Sequence, residues 1–261
     1  MLFDIASAQL LGSRSTQEDN HWNSRLASPP YNCTPAADPN TELLHFVVAD
    51  GMGGYEGGEL ASAIAVETTA AAYRGEMEFT PPLSTDVPDS ALDYLELVLH
   101  ECHFRMLDAA AKNVNLKKMG STAIIGMLTQ WGAALVHCGD SRAYLLRSGV
   151  LTQLTSDHTL VQLLVDRGLI TAEDARKHPR RGVLSYALGR TTLVQRVHIE
   201  LKSGDRLLIC TDGLTEALTD TVIAQALSGT GSAAELCAQL MAAAQKANPK
   251  DNTTATVVTV N

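Results

Sequence analysis

The chain has 261 residues, 45% of them apolar and 19% charged, a composition that excludes a disordered or low-complexity protein. Acids outnumber bases 29 to 20, for a formal charge of -9, so nucleic acid is excluded as the main partner. Apolar runs all fall short of the roughly 18 residues that cross a bilayer, so no membrane insertion is expected.

In chain order, the start is broken by Asp4 and lacks a basic stretch, so it does not read as a signal peptide. Ser28 to Asn40 and Thr80 to Asp89, rich in Pro and small polar residues, read as loops. Between them Leu43 to Ala49 is a strand-length apolar run, and Gly57 to Ala72 is helical. The spacing of Leu92, Leu95, Val98, Cys102 and Met106 predicts a helix over Ser90 to Lys112, with Ser90 and Asp93 as its start signal. Strands follow over Ser121 to Leu128, Ala133 to Cys138, Arg142 to Arg147 and Val150 to Leu154, the last two joined by a Ser148-Gly149 hairpin turn. Short helices fit Leu160 to Arg167 and Thr171 to Arg176. Strands then fit Val194 to Leu201 and Leu207 to Thr211. Helices at Asp220 to Leu227 and Ser232 to Lys246 precede a last strand at Thr253 to Val260. Clustered strands joined by tight turns make this an α+β chain with mainly antiparallel pairing. The cysteines (Cys33, Cys102, Cys138, Cys210, Cys237) are odd in number and far apart, so they read as reduced thiols of a cytoplasmic protein.

Three apolar runs stop at an aspartate beside a glycine: Asp50-Gly51, Gly139-Asp140 and Asp212-Gly213. Asp251 lies in the turn before the closing strand. One such pair alone is most simply a turn. Four together place short, hard oxygen donors at rigid points and favour a divalent metal site. Like charges about 4 Å apart repel by roughly 4 kcal/mol at an effective dielectric near 20, against the roughly 5–15 kcal/mol that stabilises a whole domain. Clustered carboxylates therefore need cations between them, and oxygen-only donors suit Mg²⁺ or Mn²⁺ rather than zinc.

Six motifs in order carry a resemblance. They are Arg14-Ser-Thr-Gln-Glu18-Asp19, Val48-Ala-Asp50-Gly51-Met52-Gly53-Gly54, Met119-Gly120-Ser121-Thr122-Ala123, Gly139-Asp140-Ser141-Arg142, Cys210-Thr-Asp212-Gly213-Leu214 and Asp251-Asn252. Together they resemble the type 2C metal-dependent Ser/Thr protein phosphatases, bacterial branch, over about Ala6 to Val260, with residues 155–189 similar to that branch's flap. The resemblance implies one catalytic domain over residues 1–261, a four-layer sandwich of two antiparallel sheets flanked by helices, with a binuclear metal site in a cleft at one end. It implies that Asp50 bridges two Mn²⁺ or Mg²⁺ ions, that the Gly51 carbonyl ligates one, and that Asp212 and Asp251 hold the other. Glu18 and Asp19 would act largely through metal-bound water, and Asp140 with Asp212 would form a third, weaker site. Arg14 would bind the phosphate. The implied reaction is hydrolysis of phosphoserine and phosphothreonine on proteins by a water or hydroxide bridging the metals, counteracting Ser/Thr kinases, in a cytoplasmic monomer. Two positions depart from the pattern: Met52 stands where the eukaryotic branch has a candidate acid, His, and Tyr55 where bacterial members often carry His.

Other readings are weaker. The glycines from Gly51 to Gly58 lack the Gly-Lys-Ser/Thr of a phosphate loop and include Glu56. An aspartyl-phosphate nucleophile would need Asp-x-Asp, where Val48-Ala-Asp50 and Cys210-Thr-Asp212 stand. His100 and His103 flank Cys102 on what reads as a plain helix surface. Ser141 lacks an oriented His-Asp pair, so hydrogen bonding in its turn is expected. In the flap, His178-Pro-Arg180-Arg181 is either a solvated helix start or a basic guide for a phosphopeptide, with Arg180 and Arg181 as substrate-binding candidates. A catalytically inactive signalling or binding module of the same fold is the alternative to an active enzyme.

Overall fold

The structure, a computed structural model, describes residues 1–25, 44–54, 56–78, 88–129 and 132–261. Cys33, Tyr55, Ser28 to Asn40 and most of the segment from Thr80 to Asp89 lie outside the described residues. The chain runs through β1 (Phe3–Leu10), β2 (Asp19–Asn23), β3 (Leu44–Met52), α1 (Gly57–Tyr73) and α2 (Pro88–Lys112). It continues with β4 (Gly120–Ser121), β5 (Ala123–Thr129), β6 (Gly132–Cys138), β7 (Arg142–Arg147) and β8 (Val150–Gln153). Then come α3 (Leu160–Asp166), α4 (Ala172–Lys177), β9 (Gln195–Ile199), β10 (Arg206–Cys210), α5 (Asp212–Ala217), α6 (Asp220–Leu227), α7 (Ala233–Lys246) and β11 (Thr253–Val260).

Two antiparallel sheets form. One has the order β1-β11-β10-β7-β8; the other has β2-β3-β5-β6-β9, with β4 on β3. Alternation along the strands decides what packs where. In β3, Phe46 and Val48 point into the space between the sheets with Leu135, Ile209 and Val258. Val47 and Ala49 point the other way, onto Ala61 and Ala65 of α1 and Leu95 of α2. In β11, Val258 and Val260 face the sandwich interior, while Ala255 and Val257 meet Leu236 and Leu240 of α7. Strands covered on both faces read as unbroken apolar runs, which is why β3 was legible. The result is the expected four layers, helix, sheet, sheet, helix.

Boundaries follow local chemistry. Ser232 caps α7 in a reciprocal box with Glu235, and Thr171 does the same for α4 with Asp174. Ser148 and Gly149 both have positive φ, 51° and 78°, as a tight right-twisted hairpin requires. The expected start of α2 at Ser90 is corrected: the helix begins at Pro88, because proline at a first helical position leaves no N–H unpaired. Three elements had no sequence expectation: β1, β2 and α5. β1 joins the first sheet over its whole length, from Phe3 opposite Val260 to Leu10 opposite Thr253.

Candidate metal centre

β2 and β3 run antiparallel with Asp19 opposite Asp50. Asp50 lies two residues inside the end of β3, and its backbone is held by the β4–β5 corner. The Asp50 N–H donates to Thr122 Oγ1 at 3.0 Å, and the Asp50 carbonyl accepts from the Thr122 N–H and from Ser121 Oγ, both at 2.9 Å. Gly51 follows because nothing larger fits: a Cβ there would lie 1.9 Å from the Gly58 carbonyl oxygen. That contact draws the start of α1 onto the site, with the Gly51 N–H donating to the Glu18 carbonyl at 3.1 Å.

Asp212 opens α5 directly after β10, and Gly213 lets that turn meet the Asp251-Asn252 corner; a Cβ at 213 would sit 2.0 Å from the Asn252 carbonyl oxygen. Asn252 fixes the loop that carries Arg14 and Glu18. Its Nδ2 donates to the carbonyls of Leu11 and Thr16 at 2.9 and 3.0 Å, and its Oδ1 accepts the Glu18 N–H at 2.8 Å. Asp140, in the bend after β6, is held through its neighbours: His158 donates its N–H to the Gly139 carbonyl at 2.8 Å and accepts the Gly139 N–H on Nδ1 at 3.1 Å. Buried Ser141 shares a 2.7 Å hydrogen bond with Thr122 Oγ1.

These residues converge on one cleft of about 690 Å³, lined by Arg14, Glu18, Asp50, Gly51, Asp140, Asp212 and Asp251 together with the returning segment of the flap, Gly182 to Ala187. Asp19 is buried behind them, where its Oδ2 accepts from Thr211 and Thr254 hydroxyls at 2.8 Å each. Of the flap cations, Arg181 lines an adjoining cavity and pairs with Glu216 at 3.1 Å, while Arg180 is exposed and lines neither. The cation that does reach the cleft is Arg190, just past the flap and donating from Nη2 to the Lys118 carbonyl; sequence reasoning did not single it out, nor the roles of Thr122, Asn252 and His158. Arg14 does not stand free: its Nη2 holds Asp251 Oδ2 at 2.5 Å. Met52 lines the cleft as well. His103, on the face read as plain helix surface, accepts the Gly189 N–H on Nδ1 at 3.1 Å and so ties α2 to the end of the flap.

The electrostatics are those of acids pressed together. Burial pushes the Asp50 carboxyl well above the ordinary range, and Asp19, Asp212, Asp140 and Asp251 push it further. Asp140 is raised by burial and then by Asp212. Burial raises Asp19 to about 7 despite its two threonine donors, and burial followed by Asp251 raises Asp212 to about 6. Asp212 Oδ1 is buried and accepts no hydrogen bond. Among the described residues no group of three or more His, Cys, Asp or Glu side chains stands close enough together to hold an ion, and one of these acids, Asp251, is paired with Arg14. An orphaned buried carboxylate oxygen among mutually repelling acids nevertheless fits a hard divalent cation, which would relieve the repulsion and supply the missing partner.

Comparison with known proteins agrees with this chemistry. The family described as Protein phosphatase 2C matches residues 33–252. The chain is 33% identical over 214 residues to the serine/threonine phosphatase stp of Listeria monocytogenes, a match that spans 81% of this chain and 82% of that protein. Its fold superposes on the crystal structure of the Mycobacterium tuberculosis serine/threonine phosphatase PstP/Ppp with a TM-score of 0.82, at 30% identity and over 100% of both chains. The catalytic domain of PstP in complex with two manganese ions is similar too, with a TM-score of 0.77 at 30% identity over 99% of each chain.

Proposed function

The chain belongs to the protein phosphatase 2C family, and from that premise we propose that its cleft hydrolyses phosphoserine and phosphothreonine on proteins with the help of two Mn²⁺ or Mg²⁺ ions. The observation that carries the reading is the oxygen-only ring of Asp50, Gly51, Asp140, Asp212 and Asp251 around one cleft, with Asp212 Oδ1 unpartnered.

Asp50 and the Gly51 carbonyl would hold one ion, and Asp50, Asp212 and Asp251 would hold the other. Asp140 with Asp212 would serve a weaker third, and Glu18 from the cleft wall and Asp19 from behind it would act largely through water. When bound, such a pair supplies Lewis acidity and a nucleophilic water at neutral pH. The chain's own residues do the rest. Arg14 and Arg190 line the cleft with planar forks suited to phosphate oxygens, one from the loop before β2 and one from just past the flap. Met52 has no proton to give the leaving alkoxide, so that proton comes from water. Arg180 and Arg181 assist by drawing the phosphoprotein toward the flap. The whole chain, residues 1–261, is read as one catalytic domain with its flap at about 155–189, supported by the pairing of β1 with β11 in one sheet. Among the described residues no helix is long and apolar enough to cross a membrane. The enzyme is read as a cytoplasmic monomer acting on Ser/Thr kinases or their substrates. A catalytically inactive module is disfavoured because every acid of the metal set is present.

Turnover of a small aryl phosphate with Mn²⁺, repeated after chelation, tests this. Hydrolysis that depends on the metal is expected; none in Mn²⁺ would reject the enzyme.

A further inference from the structure

A second cavity, of about 440 Å³, lies between the flap helices α3 and α4 and the α5–α6 segment. It meets the catalytic cleft at Asp140, Gly182 and Asp212, which line both. Volumes of roughly 300–1,000 Å³ are those of built ligand sites.

Its lining is unlike that of the cleft. The apolar part is small in scale, with Val161 and Val165 from α3, Ala175 from α4 and Leu218 after α5, and uncharged Gln162 and Thr159 stand beside them. Its cations are already matched: Arg142 with Asp157 at 2.7 Å, Arg181 with Glu216 at 3.1 Å and Arg176 with Asp220 at 3.5 Å. Apart from Asp140 and Asp212, which belong to the metal centre, the charges of this cavity balance. A neutral occupant with amide groups and modest side chains suits such a lining; a second phosphate or a metal does not. The last two pairs tie the flap to α5 and α6 through exposed groups, and exposed pairs contribute only about 0–1 kcal/mol each. These two ties are therefore ones that an entering chain can exchange, while the flap stays anchored at its ends by Arg142 with Asp157 and by the Ser121 to Leu188 bridge.

A phosphoryl group held between Arg14 and the aspartates leaves the rest of its molecule to find a way out of the cleft. The second cavity adjoins the cleft at Asp140, Gly182 and Asp212 and does not have Arg14 in its lining, so it offers one. Resting on the phosphatase reading above, we propose that this cavity seats the polypeptide flanking the phosphoresidue and selects phosphoproteins with small, uncharged side chains there.

The test compares an aryl phosphate with phosphothreonine peptides extended by about four uncharged residues on one side or the other, a span of roughly 13–14 Å. In the wild-type protein, extension on one side lowers KM several-fold. Ala175→Trp, which fills the cavity from α4, cancels that gain while leaving kcat/KM for the aryl phosphate within about twofold, so the variant is folded and its metal site intact. Ala172→Trp, at an exposed position on the same lining, does the same with less risk to packing. Two results would overturn the proposal: a KM indifferent to extension on either side, or tryptophan variants that slow the aryl phosphate as much as the long peptides. If the wild-type protein turns over no aryl phosphate in Mn²⁺, the phosphatase reading itself fails and this inference falls with it.

Discussion

Thr122 grips the backbone of Asp50 from both sides, accepting its N–H on Oγ1 at 3.0 Å and donating its own N–H to the Asp50 carbonyl at 2.9 Å. The same hydroxyl reaches Ser141 at 2.7 Å, next to Asp140, so one buried side chain links the backbone of Asp50 to the bend that carries Asp140. Thr122→Val keeps the shape and removes the hydroxyl. It is expected to raise the Mn²⁺ concentration for half-activation and lower kcat by about tenfold or more, the usual consequence of losing such a supporting hydrogen bond. Thr122→Ser should recover most of both. A valine variant with unchanged Mn²⁺ activation would show that the hydroxyl has no part in the site.

The crowding of the acids gives a pH dependence with a definite sign. Asp19 and Asp212 titrate in the fold near 7 and 6 against an ordinary 3.8. Their folded values lie above the unfolded ones, so between about pH 4 and 7 the native metal-free state binds more protons, and stability is lost as pH rises through that window. Mn²⁺ binds the ionised acids and should raise the melting temperature much more at pH 8 than at pH 5. Under chelation at pH 8, Asp212→Asn should melt above the wild type, because Asp212 is ionised there and the change removes one of the repelling charges, and yet show no turnover in Mn²⁺. Equal Mn²⁺ shifts at both pH values, or an asparagine variant that melts lower, would contradict this account.

Much of this was legible because apolar periodicity and capping residues are local signals. The α7 box, the Ser148-Gly149 turn and the six acid or glycine motifs are all written within a few neighbouring residues. What escaped was written across the chain. β2 (Asp19–Asn23) is polar and becomes a strand only because β3 offers it partners. β1 alternates weakly, with Asp4, Ser7 and Gln9 among small residues, and is fixed by β11 some 250 positions away, as the Ser7 to Thr256 hydrogen bond shows. Arg190 lies just beyond the flap segment as read, and nothing near it in sequence tells it apart from Arg180 and Arg181. Only the return of the flap past Ser121, through the Ser121 to Leu188 bridge, turns residue 190 toward the cleft. Asn252 was visible as a motif member, but its role depends on carbonyls at Leu11 and Thr16.

Arg14 has two neighbours to satisfy. It pairs with Asp251 in the protein alone, and it lines the cleft where phosphate would bind. Arg14→Ala should therefore raise KM for phosphopeptide by about ten- to a hundredfold, in keeping with roughly 1.5–3 kcal/mol for a hydrogen bond to a charged group. It should also lower the Mn²⁺ concentration needed for half-activation, because Asp251 loses a competing cation. Arg14→Lys keeps the charge but not the fork, so its KM should stay high. Weaker Mn²⁺ activation in the alanine variant would mean that Arg14 supports Asp251 rather than competing for it.

A last prediction concerns His45, far from the acids. It is 2% exposed, neither ring nitrogen makes a hydrogen bond, and its ring packs against Tyr73 at 5.0 Å between centroids. Burial lowers its pKa to about 4 from an ordinary 6.5. Here the folded value lies below the unfolded one, so the unfolded chain takes up the proton first. The stability is present above about pH 6.5 and is lost as pH falls toward 4. Relative to His45→Phe, which fills the same space without a titratable group, the wild type should lose about 2 kcal/mol more stability between pH 7.5 and pH 5. Urea unfolding of both proteins at the two pH values, with chelator present throughout to keep the metal sites out of the comparison, measures that difference. Parallel losses in the two proteins would mean that His45 gains a proton in the fold as readily as in the unfolded chain, through water or a rearrangement that this packing does not provide.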